Sequence, residues 1–268
     1  MKLILNEKKY MESVLNNEIE DENLTDTIRT LVKYYVISSI DKGIIVDNIE
    51  TYLKKRLKEK YRVKKWDSYI SSTVSSIFKT KRSYERSNKD FKLNEIDSIF
   101  ISGNELERIK LIENLDAEKI AFVLMVYGKI NKIIGRDCKI GTYCNRDFFK
   151  DCGLSFSNAN RNLINHLKQL GYVTPSDNHQ SSFVEINIAD EYEANDENNG
   201  INIFDFREFV LLYEMWRGFR VDYCECGTPI RIISNRNKYC SVCWNKRQKE
   251  IVRDKNKKYY EKTKNKTI

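Results

Sequence analysis

Cys224 and Cys226, followed by Cys240 and Cys243, are the residues whose type and spacing most directly imply chemistry. Two close pairs separated by a 13-residue stretch have the ligand spacing of a structural zinc site. Each pair can turn its thiolates toward one tetrahedral ion. Gly227, Thr228, Pro229 and the run Ser234 to Tyr239 supply turn residues beside one short strand, Ile230 to Ile233. The stretch between the pairs is therefore expected to form a hairpin. Two disulfides, or four unrelated buried cysteines, are the competing readings. Disulfides need an oxidising compartment, and Met1 to Tyr10 offers only Leu3-Ile4-Leu5 as an apolar run, too short for a secretory signal. No run approaches the ~18 apolar residues of a membrane span. The expectation is a cytoplasmic protein whose thiols stay reduced and bind metal.

The second pair, Tyr239-Cys240-Ser241-Val242-Cys243, opens into Trp244 and a long Lys/Arg-rich segment expected to be helical. A knuckle, a hairpin and a pair opening a helix resemble a zinc-ribbon or treble-clef module, which implies structural Zn2+ on the four cysteines. The first pair departs from that family, being C-x-C where C-x-x-C is commoner. Residues 201–268 as a whole are similar to C-terminal regions of proteins from phages and mobile elements of low-GC bacteria. The abundance of Lys, Asn and Ile fits AT-rich coding of that kind.

Charge is concentrated at the same end. The chain carries a net charge of +8. Residues 219–268 hold fourteen Lys/Arg against five Asp/Glu, so the preceding 218 residues are close to neutral. A cationic pole of this kind attracts polyanions, of which nucleic acid is the commonest in a cell. Arg236, Lys238, Lys246, Arg247, Lys249 and Arg253 are the candidate phosphate contacts in this region.

A second pattern lies in the middle of the chain. Asp116 is placed to cap an apolar helix through Ile120, Leu124, Tyr127 and Ile130, with Gly135 as its stop. Asn145 is placed to cap a very short helix, Arg146 to Cys152. A four-residue turn from Gly153 leads to a longer helix, Ser157 to Leu170, ended by Gly171. Tyr172 to Thr174 and Phe183 to Ile188 read as two strands around a polar turn. This order, and the phrase from Asn160 to Val173 that closes a helix with Leu-Gly and enters a strand, resemble a winged helix-turn-helix domain. The resemblance implies that the helix 157–170 reads a DNA major groove. Ala159, Leu163, Leu167 and Leu170 form its expected core stripe. The opposite face presents Ser157, Asn158, Asn160, Arg161, Asn162, Asn165 and Lys168, with Asn suited to adenine edges, Arg to guanine, and Ser and Lys to phosphates. A polar surface helix in an Asn-rich protein is the plain alternative. Residues 116–190 are nearly neutral, nine Lys/Arg against eight Asp/Glu, so electrostatics must come from elsewhere or the domain contacts protein.

The remaining elements must position these residues. Ile28, Leu31, Val32, Tyr35, Val36 and Ile40 recur at helical spacing, with Thr25 or Asn23 as cap and Gly43 as stop. Further helices run through Ile49, Leu53 and Leu57, and through Trp66, Ile70, Val74 and Ile77. Eight Lys/Arg lie between Lys54 and Lys65, a solvated face or an auxiliary phosphate surface. Ser102 and Glu105 have capping-box spacing, as do Asp205 and Glu208 before a helix with Phe209, Leu212, Tyr213 and Trp216. The fold expected is mostly α with small β. Its parts are a helical domain (1–80), a linker (81–92), a winged-helix domain (93–190), an acidic linker (191–204), a helix plus zinc module (205–243) and a basic tail (244–268).

Catalytic patterns are absent. Only His166 and His179 are present, with no Walker-type loop, no G-x-S-x-G elbow and no H-E-x-x-H. Nucleases built on treble clefs need histidines by the metal, and 201–268 contains none. Cys138, Cys144 and Cys152 read as small buried residues. The function expected is DNA binding, as a regulator or replication accessory of a phage or mobile element. A protein-interaction adaptor or host-factor inhibitor is the alternative, and RNA would suit the basic tail as well as duplex DNA.

Overall fold

A computed structural model describes residues 4–16, 24–135, 139–142, 146–175, 183–187, 199–234 and 238–264, with the last helix's side chains described to Lys257. The chain divides between Asp97 and Ser98 into two units. It is mostly helical with small antiparallel sheets. Among the described residues no helix is long and apolar enough to cross a membrane.

The first unit contains α1 (Glu7–Leu15), α2 (Leu24–Ile37), α3 (Lys42–Leu57) and α4 (Val63–Arg86). The helical spacing of Ile28, Leu31, Val32 and Val36 puts all four on one face, each at most 1% exposed. They pack with Ile45, Ile49 and Leu53 of α3 and Trp66, Ile70 and Val74 of α4. Gly43 does not end α2. It lies in the first turn of α3, where its N–H donates to the Asp41 carboxylate at 2.8 Å. The segment 81–92 is not a linker. It is helical through Arg86, and Phe91 stacks edge-on against Tyr84 at 5.6 Å and packs on the core. The chain then returns along its own start, with Asn6 bridging Glu95 and the Ile96 N–H donating to the Leu5 carbonyl at 3.2 Å.

The second unit is built around α6 (Leu115–Ile133). Ten consecutive residues, Ala117 to Val126, are buried. A helix apolar on all sides must be surrounded. Around it pack α5 (Gly103–Lys110), α8 (Asn158–Gln169), α9 (Val210–Trp216), β1 (Ile99–Ile101) and β4 (Phe183–Ile186). Gly128 permits the approach of α6 to β4, since a Cβ there would stand 2.7 Å from Ile186 Cγ2. The expected capping box at Ser102 and Glu105 is present. Asn114, rather than Asp116, caps α6. The strand β1 pairs with β5 (Ile201–Ile203), so the end of the expected acidic linker is tied into a sheet.

The elements α6, β2 (Ile140–Gly141), α7 (Arg146–Asp151), α8, β3 (Val173–Pro175) and β4 follow one another. β2, β4 and β3 form one antiparallel sheet with β4 central. Between α7 and α8, Gly153 takes φ +66 and donates its N–H to the Lys150 carbonyl at 2.9 Å, closing α7. Ser157 caps α8 by accepting the Asn160 N–H at 3.2 Å. Asn145, Cys138, Cys144, His179 and most of the turn after Pro175 lie outside the described residues.

The core stripe of α8 differs from the expected one. Ile164 and Leu167 are fully buried, Ala159 is exposed and Leu170 is 46% exposed. Ser157 fixes where the first turn begins, and the closing turn at Gly171 carries Leu170 outward. Ile164→Ala should cost about 2–4 kcal/mol by cavity formation, and Leu170→Ala under about 1 kcal/mol. Thermal unfolding of the two variants measures this, and the expected stripe would have given equal or reversed losses.

Candidate metal centre and cationic helix

The first cysteine pair sits at the tip of a hairpin rather than before one. β6 (Val221–Tyr223) and β7 (Pro229–Arg231) pair antiparallel, and Cys224 to Thr228 make the connection. The Cys224 N–H donates to the Thr228 carbonyl at 2.9 Å, and the Gly227 N–H to the Cys224 carbonyl at 2.8 Å. Gly227 has φ +79, a conformation costly for any residue with a Cβ. This tight turn is what allows C-x-C to present both sulfurs.

The second pair is built on the start of α10 (Ser241–Lys264). Cys240 directly precedes the helix, and its carbonyl accepts the Trp244 N–H at 2.9 Å. Its Sγ accepts the Cys243 N–H at 3.4 Å, so the sulfur occupies the place of a capping side chain. Both sulfurs therefore lie at the start of α10.

All four Sγ atoms lie within 4.8 Å of one another, with Cys224 and Cys240 buried and Cys226 and Cys243 half-buried. Cys226 and Cys240 are 3.6 Å apart, far beyond a disulfide bond of about 2.05 Å. Tetrahedral coordination at about 2.3 Å from metal to sulfur requires sulfurs about 3.8 Å apart. The four cysteines can thus hold a metal ion. They form the only such cluster among the described residues.

Protons are unevenly shared in the cluster. Burial opposes ionisation of Cys226, but hydrogen bonds from Thr228 and the neighbouring thiols outweigh it and lower the pKa from 9.0 to about 6. Cys243 is pushed up to about 12 by its hydrogen bonds to Cys226, Cys240 and Cys224. Arg207, which sequence reading missed, stands behind the knuckle. Its guanidinium donates to the Cys226 carbonyl at 3.0 Å and approaches the sulfur at 3.9 Å. Asp205 holds that guanidinium and does not cap α9, whose N-cap position is Phe209, with no side-chain cap bond. No pattern of residue types marks Arg207 in the sequence, because its role depends on a turn 19 residues away.

The module's own apolar core is small: Cys224, Ile230 and Cys240, with Cys226, Ile232, Tyr239 and Cys243 against them. Its attachment to the rest of the unit is polar. Arg231 of β7 donates to the buried Glu214 of α9 at 2.8 Å, and Lys119 of α6 reaches the same carboxylate at 3.4 Å. Beside it, the Tyr213 hydroxyl donates to buried Glu118 at 2.8 Å, and Phe122 stacks on Tyr213 at 5.2 Å.

The expected nucleic-acid contacts fall into two groups. On α10, Lys246, Arg247, Lys249 and Arg253 are exposed, and Lys238 lies exposed before the helix. Arg247 covers the Tyr239 ring at 4.8 Å. Arg236 lies outside the described residues. On α8, Asn158, Asn162 and Asn165 are exposed, and Lys168 is half-buried. Three others serve the fold itself. Ser157 is the cap, the Asn160 side chain donates to the Ser155 carbonyl at 2.8 Å, and Arg161 bonds Asn158 and covers Phe156 at 5.3 Å. Cys152 is buried at the end of α7, its thiol pKa raised by burial. No protein-family model, curated protein or solved structure matches the chain.

Cys240→Ser should unfold residues 219–268 and leave α6 to β4 protected, because the sulfur caps α10 and is one of the four that can hold a metal ion. Limited proteolysis with mass mapping checks this, and an unchanged cleavage pattern at the C-terminal end speaks against it. Ionisation is eased at Cys226 and opposed at Cys243, so a cation must displace the proton that the tetrad holds at Cys243. Metal uptake must therefore release protons, and apparent affinity should rise with pH and fall on acidification. Competition with a chromophoric chelator across pH 6 to 8 measures the slope, and a flat profile would contradict it.

Proposed function

We propose that the protein binds duplex DNA, with a zinc ion fixing a cationic helix that runs along the phosphate backbone. The observation that carries this reading is α10. Over 24 residues it holds nine Lys/Arg against three Asp/Glu, and beyond its first turn nearly every described side chain is exposed. A helix that buries no face gains little from packing, and its charge density is that of a polyanion ligand. Zinc is favoured by the donor set: four thiolates in near-tetrahedral spacing suit a structural site closed to solvent ligands.

The order α6–β2–α7–α8–β3–β4, with α8 preceded by a tight turn and followed by a hairpin, supports a winged helix-turn-helix. In that arrangement α8 enters the major groove with Asn162, Asn165 and Asn158 toward base edges, and the hairpin lies over backbone. A role as regulator or replication accessory in a phage or mobile element accommodates both parts.

A second reading, a protein-interaction adaptor, is favoured by one observation. Beside the cysteines lies a groove of about 650 Å³ lined by Leu211, Ile230, Ile233 and Trp244. Ile233 is 82% and Trp244 49% exposed. An apolar groove of this type seats a protein segment.

Removal of residues 245–268 separates the readings. Binding to random-sequence duplex should be lost if α10 is the backbone contact, while capture of a protein partner would be unaffected. With about six phosphates neutralised, log affinity should fall with log salt at a slope of roughly −5. Salt-independent binding would remove the electrostatic basis of the proposal.

A further inference from the structure

We propose that the exposed basic turn joining α3 to α4 is a second contact with the phosphate backbone, carried by the first unit. The inference rests on the reading that the chain engages nucleic acid, and it adds a surface that reading does not use.

Between Lys54 and Lys65 the chain carries eight Lys/Arg and one acid, Glu59. They close α3, form the 3-10 turn Lys58–Lys60 and open α4. Lys55, Lys58, Lys60, Arg62 and Lys64 are exposed, and no ion pair engages them among the described residues. Three of the eight are engaged within the fold: Lys54 pairs with Glu50 at 2.8 Å, Lys65 covers the Trp66 ring at 5.2 Å, and Arg56 is half-buried with a partner of its own. Three cations of this unit that lie near its acidic side chains are paired, while Arg29, Lys42, Lys79, Arg82, Arg86 and Lys92 are exposed singly or in twos, so the turn differs in its density of charge. Lys33 pairs with Glu7, Lys9 with Asp97 at 2.6 Å and Lys8 with Glu95 at 3.5 Å.

The folded chain by itself gives these charges no favourable setting. At the end of α3 basic residues suit the dipole, but at the start of α4 they oppose it. Arg62 sits at the N-cap position without a side-chain cap bond, Lys64 and Lys65 follow, and the first turn contains no acid. Like charges this close also repel one another. The cluster is thus a local cost to stability that a dense row of anions would reverse.

Phosphodiester backbone fits better than a lipid surface. Peripheral membrane helices set cations beside a broad apolar face that inserts among acyl chains. Here Val63, 58% exposed, is the one large apolar side chain in the segment that stands fully open. The patch offers charge with almost nothing to insert.

The test uses the full chain and a random-sequence duplex titrated across salt concentration. One variant carries Lys55, Lys58, Lys60, Arg62 and Lys64 changed to Gln; another carries Lys246, Arg247, Lys249 and Arg253 changed to Gln. The first should reduce the magnitude of the log–log salt slope by about 2, leaving the larger part with α10, and weaken binding several-fold at moderate salt. The double variant Lys58→Gln/Arg62→Gln should give a proportionate part of that loss. All three should keep the wild-type circular dichroism spectrum, because the altered side chains are exposed, and the variants of the turn should melt no lower than wild type. If the α10 variant is weakened while the five-residue variant binds as wild type, the second surface is refuted and the DNA reading survives. If the wild type binds no duplex, both fall. Binding of the wild type to vesicles containing anionic lipid, lost in the five-residue variant without change in duplex binding, also overturns the proposal.

Discussion

The convergence of four sulfur atoms is the constraint on which the C-terminal half of the second unit depends. One pair is set by a five-residue hairpin tip and the other by the first turn of a helix, and among the described residues Ile230 is the one aliphatic side chain buried with them. Burial of the single aliphatic side chain at the centre, Ile230, is worth about 1.5–3 kcal/mol. Apparent free energies of about 10–16 kcal/mol for structural metal sites are several times larger. The sulfurs share protons unequally, so their closeness suits a shared cation better than four separate thiols.

The module is joined to the rest of its unit through charge more than through apolar area. Glu214 is 2% exposed and receives Arg231 from the hairpin and Lys119 from α6. Burying such groups costs desolvation energy, so this junction adds little net stability, but it tolerates few other orientations. Arg207 completes the arrangement by bonding the knuckle backbone. The hairpin is therefore placed by three side chains from two helices and a loop, and its position relative to α9 is specified residue by residue.

Sequence spacing revealed what is local and periodic. The cysteine tetrad, the helices of the first unit, the capping box at Ser102 and the order from α6 to β4 all follow from patterns within a few turns of chain. What it missed are long-range or competing effects. The phase of α8 could not be read, because Leu163, Ile164, Leu167 and Leu170 support two stripes and only packing on α6 selects one. The segment after Lys79 reads as polar linker, yet a long helix needs apolar residues on one face only, and Phe91 then folds back on Tyr84. Gly43 suggests a stop, but Asp41 beside it makes a better start. Arg207, Glu214 and Arg231 gave no signal, since an ion pair across 17 residues and a hydrogen bond to a carbonyl across 19 leave no spacing rule.

Cys240 and Cys243 occupy the capping position and the third residue of α10, and this anchors more than a fold. At 1.5 Å per residue, a helix of 24 residues extends about 36 Å from that anchor, close to one full turn of B-form duplex. A divalent ion with four thiolates has a net charge of −2, which damps cations close by. From Arg253 outward the axial distance exceeds about 15 Å, beyond the Debye length of about 8 Å at physiological ionic strength. The far half of the rod is thus electrically decoupled from its own clamp, while its azimuth remains dictated by it.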